Sequence, residues 1–468
     1  MTVAGLVYVN SPSLVLRLYG GASKHALMVR ILQSLARKSR KSSFLNNVLI
    51  VMSGTAIAQV FSFVLSPVIS RLFSPEDFGV FGSFIALLTV ITAAVTLEYS
   101  QAIMLPKENV EAMNLFLVSC VATLVTGFFC IVAVLFIPSL IQELIRSPNQ
   151  WFLWLLILAT LFGGLNQTLQ AWCVRVKAFR RTSASQVIRS FSANGLQIGF
   201  GYTGCGSTGL IVGNVLADLF SSLSLLRTVV PDLLSYWSDV QWKRMRQLAT
   251  EYRDFPLYSA SQNTVNALSL GLPVILLTHF YGIAVAGAYA FGIRIMVVPV
   301  SLVHRSLRQV LFQKASEIQH RGNPLLPLFL KCTIGLLIIG ILPSLLLLFF
   351  APSIFIFLFG AQWNTAGEFA RFLSPWILAS LCNLPSVIFA RLIRIQRSVF
   401  LYELVVLCAR FSVLVLGGFF LNALHAIVLF SLVGTVMNIF FILFVLRAIR
   451  NKEIFSNRSS AHTATVFI

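Results

Sequence analysis

The chain has 468 residues, 57% of them hydrophobic and only 11% charged, with a mean hydropathy of +0.86. Soluble domains carry about a quarter of their residues as charges, so this composition excludes an ordinary water-soluble globule. The net charge of +20, from 35 Lys+Arg against 15 Asp+Glu, would suggest nucleic acid on a soluble protein, but here membrane topology must account for it first.

Residues 1–45 read as a basic arm, with no acidic residue before Glu76 and a basic, serine-rich stretch from Lys24 to Lys41. Two readings of it stay open: a transit-type leader, or translation from Met28 with a short arm from Arg30 to Lys41. Apolar runs long enough to cross ~30 Å of hydrocarbon then predict twelve helical spans. The first six cover 47–70, 78–104, 113–137, 151–174, 187–204 and 208–230. The second six cover 258–280, 283–304, 332–350, 372–390, 398–420 and 424–446. The chain thus divides into a bundle over 46–230, a linker over 231–257, a second bundle over 258–447 and a tail over 448–468.

The basic residues sort sharply against these spans. Only Arg71, Arg146 and Arg371 fall on one side, and Arg294 and Arg410 fall inside spans; all the others share the side of both termini. The positive-inside rule makes that side cytoplasmic and explains the charge without nucleic acid. The seven cysteines are scattered, with no CxxC and no Cys/His cluster, so no metal site and no cofactor are expected. Gly199-Phe-Gly201-Tyr-Thr-Gly204 fits a dinucleotide-binding pattern literally but joins two predicted membrane helices, and no GxxxxGK[ST] is present.

Two segments repeat. Pro67-Val-Ile69 is followed by Gly79-Val-Phe-Gly82, and Pro273-Val-Ile275 by Gly287-Ala-Tyr-Ala290. The loops Arg175–Arg181 and Arg391–Arg397 begin and end with arginine at the same spacing. Together they indicate a duplicated six-helix unit whose copies share one orientation. At the second span, Ser74-Pro75-Glu76-Asp77 is a helix-start signal: a cap, a proline at the first helical position and acids at the positive end of the helix dipole.

Arg71-Leu-Phe-Ser-Pro-Glu-Asp-Phe-Gly79, Ala102-Ile-Met-Leu-Pro106, Tyr252-Arg-Asp-Phe-Pro256, Leu272-Pro273, Ala286-Gly-Ala-Tyr289 and Pro299 resemble the Wzx-like O-antigen and oligosaccharide flippases. These belong to the superfamily that also holds the MATE drug exporters, and the likeness covers about 46–450. The resemblance implies an all-α, MATE-like membrane fold of two pseudo-symmetric six-helix bundles, with no enzymatic chemistry. It implies transfer of an undecaprenyl-pyrophosphate-linked oligosaccharide, such as an O-antigen or capsule unit, across the bacterial inner membrane by alternating access. Membrane lipids, a polysaccharide polymerase and a chain-length regulator are the partners implied. Where relatives carry Arg-Tyr-Glu before Ala-Ile, this chain has Glu98-Tyr99-Ser100, so roles of that arginine or glutamate do not transfer.

Charges inside spans are costly and therefore informative. Arg294 and Arg305 share a face of the eighth span, a track suited to a pyrophosphate because guanidinium grips phosphate bidentately. The competing reading of Arg294 is a structural ion pair, with Asp218 as partner. Arg410 is the other intramembrane cation. Asp218 is either a proton carrier for ion coupling or an interhelical hydrogen-bonding group. Polar faces containing Asn266 and Asn438 either line a hydrated cavity for sugar hydroxyls or join helices. Arg175 and Arg181 are candidates for headgroup recruitment or simple topology signals. A cation exporter of the MATE kind would need an acidic cavity, and a membrane polymerase or ligase a large external loop; neither is visible in the sequence.

Overall fold

The computed structural model describes residues 54–145, 150–321, 323–393 and 395–465; the basic arm lies outside them. No strand occurs among the described residues. Hydrocarbon offers no water to backbone N–H and C=O groups, so a chain this apolar satisfies them within helices. In chain order these are α1 (Gly54–Leu72), α2 (Pro75–Ala94), α3 (Tyr99–Ala102), α4 (Asn109–Phe136), α5 (Pro138–Ile145) and α6 (Trp151–Arg175). Next come α7 (Phe179–Tyr202), α8 (Gly206–Tyr236), α9 (Trp242–Glu251), α10 (Ser261–Tyr281) and α11 (Ile283–His320). The last are α12 (Leu326–Phe359), α13 (Asn364–Cys382), α14 (Leu384–Leu392), α15 (Gln396–Phe420) and α16 (Ala423–Thr465).

Every predicted span corresponds to a helix, and among the described residues eleven segments are long and apolar enough to cross a membrane. The twelfth is α7, kept out of that group by Arg180, Arg181, Arg189 and its Ser, Gln and Asn content. The predicted second span ends early, because Leu97 and Glu98 adopt left-handed backbone angles (φ +47° and +60°). The tenth span begins earlier than predicted, at Asn364, and breaks at Asn383 into α13 and α14. Glu368 and Arg371 within it depress the hydropathy that sets the sequence boundary. The eighth continues past 304 to His320.

Helices α4, α6, α7 and α8 pack together in the first half, and α10, α12, α13, α15 and α16 in the second. The halves meet where α2 lies against α10 and α11. Ser74 caps α2: its Oγ accepts from Asp77 N (3.1 Å) and its own N–H donates to Asp77 Oδ2 (3.0 Å). The cap fixes the start of the turn that touches α11. There a side chain on Gly287 would come within 1.7 Å of the Pro75 carbonyl, and one on Gly79 within 2.0 Å of the Ile283 carbonyl. A β-carbon on Gly82 would lie 2.7 Å from that of Ala290. The repeated motifs are therefore two surfaces pressed against each other, with equivalent positions of the two copies in contact. Phe78, Phe291 and Trp363 close over this crossing, with centroids 5.1 Å (Phe78–Phe291) and 4.0 Å (Phe291–Trp363) apart. The Trp363 indole N–H donates to the Ser70 carbonyl (2.8 Å), and Ser70 Oγ to that of Phe359 (3.2 Å). This end, opposite the basic loops, is shut.

Gly287→Val should remove the crossing, since overpacking costs roughly 1–3 kcal/mol and here the obstacle is backbone. Gly195→Ala on α7, where a β-carbon meets nothing within 4 Å, should leave stability unchanged or raise it by up to ~1 kcal/mol. Thermal unfolding of the purified proteins compares them; equal melting for Gly287→Val and wild type would contradict the close contact.

Candidate functional site

A cavity of about 580 Å³ lies between α1, α2, α6, α7 and α8 of the first half and α11 of the second. Thr55, Thr92 and Gln186 line it toward the basic end, and Phe81 and Gln197 nearer the shut end. Arg294 lies eleven residues into α11, about 16 Å along its axis. The lining is polar in a way that helix periodicity explains. On α7, Gln186, Arg189, Ser190, Asn194 and Gln197 recur at spacings of three and four and share one face. Gln59 and Ser62 on α1, Asn166 on α6 and Asn214 on α8 complete it with amides and hydroxyls.

Two arginines and one carboxylate supply the charge. Arg189 Nε donates to Asp218 Oδ1 (2.5 Å) and Arg189 Nη2 to Asp218 Oδ2 (3.2 Å), a bidentate fork. The Asp218 side chain is 11% exposed and that of Arg189 38%, so the pair forms part of the wall with the guanidinium toward the space. Arg294 lines the same cavity and has no ion-pair partner among the described residues. The site carries one cation more than it neutralises.

Sequence reasoning singled out Arg294 and Asp218, and both are at the cavity; but the partner of Asp218 is Arg189, not Arg294. Arg189 was legible: it lies within the fifth predicted span, on that span's polar stripe. Sorting charges by side places it with the loop residues and hides it.

Arg410 is not among the residues lining this cavity. Its guanidinium sits over the rings of Trp376 (5.1 Å) and Phe430 (5.5 Å), and Nη1 donates to Ser269 Oγ (3.4 Å). Desolvated cation–π contacts are worth ~2 kcal/mol, so Arg410 is held within the second bundle. Asn438 is buried, accepts from Asn383 Nδ2 (2.8 Å) and donates to the Gly434 carbonyl (2.7 Å), so it joins α16 to the break between α13 and α14. Asn266 is exposed and away from the cavity. The backbone of Arg305 continues α11 one face-repeat beyond Ser301, but its side chain lies outside the described residues. Arg175 donates to the carbonyls of Ile103 (2.7 Å) and Glu108 (3.1 Å), clasping the chain after α3, while Arg181 is exposed. No group of His, Cys, Asp and Glu able to hold a metal occurs among the described residues.

A sequence model of a family described as polysaccharide biosynthesis protein matches residues 68–368. No curated protein matches the chain. Among solved structures, it is similar to an inward-facing multidrug resistance MATE family transporter of the MOP superfamily (TM-score 0.65, 14% identity, 85% of this chain and 99% of that one). It is also similar to the lipid II flippase MurJ in an inward closed conformation (TM-score 0.64, 14% identity, 86% and 90%). A third is a MOP superfamily transporter from Pyrococcus furiosus whose binding pocket is described as of reverse polarity (TM-score 0.58, 15% identity, 86% and 94%). At these identities the likeness shows the fold: an all-helical membrane architecture of the MATE and MurJ kind.

Removing one partner of the fork should cost more than removing both. Asp218→Ala leaves the Arg189 guanidinium without its counter-charge, and the half-exposed arginine keeps the penalty below the ~3–5 kcal/mol of a fully buried pair. Thermal unfolding of Asp218→Ala, Arg189→Ala and the double variant should give a coupling on the order of 1–3 kcal/mol. Strict additivity would show that the fork contributes nothing as a pair.

Proposed function

Because the chain belongs to the polysaccharide biosynthesis protein family and folds as a multi-pass membrane flippase or transporter, we propose that its cargo is an undecaprenyl-pyrophosphate-linked oligosaccharide. The observation that carries this reading is the composition of the cavity: Arg294 without a counter-ion, beside the Arg189–Asp218 fork, among amides and hydroxyls. An anionic phosphate offsets the uncompensated cation, and neutral donors and acceptors suit sugar hydroxyls. The headgroup occupies the cavity while the polyprenyl chain remains in lipid.

The protein performs no covalent step in this scheme. It works in the bacterial inner membrane with both termini in the cytoplasm, so the cavity extends toward the side where lipid-linked units are assembled. O-antigen or capsule repeat units are the cargo class, and a polymerase and chain-length regulator act on the product. The alternative is a MATE-like exporter of small molecules, favoured by the structural likeness alone. Organic cations would meet a net positive site here, because the one carboxylate at the cavity is already paired with Arg189.

Arg294→Ala, with expression and membrane insertion verified, should abolish surface polysaccharide and accumulate lipid-linked units on the cytoplasmic leaflet. In reconstituted vesicles the rate at which headgroups become protected from an external reagent should fall at least about tenfold, as expected for losing a charge-assisted phosphate contact. Normal surface polysaccharide in this variant would remove Arg294 from the mechanism.

A further inference from the structure

The two copies of the repeated unit treat one arginine differently. Arg175, at the end of α6, opens one repeated loop, and Arg391, at the end of α14, opens the other. In the first half, α2 stops at Ala94 and the chain turns back through α3 toward Asn109. That returning segment brings the Ile103 and Glu108 carbonyls under the Arg175 guanidinium. In the second half, α11 does not stop: it runs unbroken to His320, and among the described residues Arg391 donates to no backbone carbonyl.

What remains there is a cleft of about 640 Å³ at the basic end, lined by Arg308, Gln313 and Ser316 of α11 and by Arg391 of α14. Phe312, Val387 and Ile388 form its apolar wall. No salt bridge from Arg308 or Arg391 occurs among the described residues. The Glu403 carboxylate on α15 is close enough to be influenced by Arg391, but no acidic residue lines the cleft. Burial, and then the charge of Arg391, lower the pKa of Arg308 from its usual value. Both arginines are exposed, and their two like charges face one space, an arrangement that an anion relieves.

We propose that this cleft binds the phosphate of a lipid headgroup, in place of the carbonyl oxygens that satisfy Arg175 in the first half. The ligand class follows from three features. The two guanidinium groups present forks that match phosphate oxygens. The site is at the level where helices leave the membrane, Arg308 lying just past the apolar segment Ile283–His304. The apolar wall beside the cations suits a phosphate that carries a lipid chain rather than a free ion. Arg308 is also on α11, the helix that places Arg294 in the cavity, so an occupant here sits along the same helix toward the basic end. That the occupant is the transported lipid rests on the proposed function; the phosphate chemistry does not.

The test uses the full chain in phosphatidylcholine nanodiscs, with binding counted by native mass spectrometry. The probes are undecaprenyl pyrophosphate, phosphatidylglycerol and inorganic pyrophosphate. Wild type should hold two undecaprenyl pyrophosphates, one in the cleft and one at the cavity. Arg308→Gln/Arg391→Gln should lose one of them, with at least tenfold weaker binding in that step, and Arg308→Lys/Arg391→Lys should lose less. An equal loss of phosphatidylglycerol would identify a general anionic-lipid site, and a loss confined to undecaprenyl pyrophosphate a site for the cargo; both support the cleft. Undiminished binding of both lipids by the Gln variant, with wild-type thermal unfolding, would overturn it, as would a loss seen with inorganic pyrophosphate alone. If Arg294→Gln keeps both equivalents while the cleft variant loses one, the cleft stands and the cavity reading of the function fails.

Discussion

The structure depends on a place where backbone touches backbone. Lipid chains are as apolar as leucine, so burying greasy side chains does not drive helices together inside a membrane; close van der Waals approach does. At the α2–α11 crossing, Gly287 lies against the Pro75 carbonyl and Gly79 against that of Ile283, with room for no β-carbon on either side. Because these glycines occupy equivalent positions in the two copies, the contact is self-complementary, and a single motif duplicated in the chain yields both faces. The capping box at Ser74 and Asp77 holds the first turn of α2 in place, and the cluster of Phe78, Phe291 and Trp363 fills the flank. With the crossing fixed, the cavity lies between α1, α2, α6, α7, α8 and α11.

The electrostatics of that cavity follow from the cost of charge in hydrocarbon. An isolated arginine at mid-depth costs at least ~2.5–3.5 kcal/mol on insertion scales, so one that persists has either a partner or a wet surface. Arg189 has the first in Asp218, and Arg410 has aromatic faces and the Ser269 hydroxyl. Arg294 faces the cavity and has no ion-pair partner among the described residues. The three intramembrane arginines therefore differ: Arg189 is forked on a carboxylate, Arg410 is packed on rings with its Nε unpartnered, and Arg294 lines the cavity with no ion pair among the described residues.

Hydropathy made the spans readable because every apolar run had to be a helix, and spacing made the α7 stripe and the Ser74 cap readable because both are local. The misplaced ends have local causes too. Glu368 and Arg371 lower the hydropathy of a helix that their neighbours bury, and nothing in Leu97 or Glu98 announces a left-handed backbone. Partners were harder. Asp218 was recognisable as a buried acid, yet Arg189 rather than Arg294 meets it, since which helix faces α8 is decided by packing between segments distant in sequence. For Arg175 and Asn438 a structural role stood open beside a ligand-binding one; in the structure Arg175 bonds backbone carbonyls and Asn438 bonds Asn383.

The two ends of the interface between the halves differ in kind, and the difference bears on how such a molecule could move. At the shut end the contacts are backbone, rings and hydrogen bonds to main-chain carbonyls. Toward the basic end the halves are linked by side chains: Ser301 Oγ donates to Gln59 Oε1 (3.3 Å), and Asn263 Nδ2 to Glu98 Oε1 (2.9 Å). Glu98 is buried and its left-handed backbone stores on the order of 1–3 kcal/mol, a strain that persists only where surroundings hold it. Asn263 lies three residues past a π-helical stretch, Phe255–Ala260, where the regular hydrogen-bond ladder is already interrupted. Separating the halves at this end exchanges amide–carboxylate and hydroxyl–amide bonds for bonds to water, at a net cost of about 0.5–3 kcal/mol each. Separating them at the other end breaks apolar contact with nothing to replace it. In the proposed cycle the basic end is therefore the easier to open, and a change of facing requires an occupant whose contacts offset the loss at the glycine crossing.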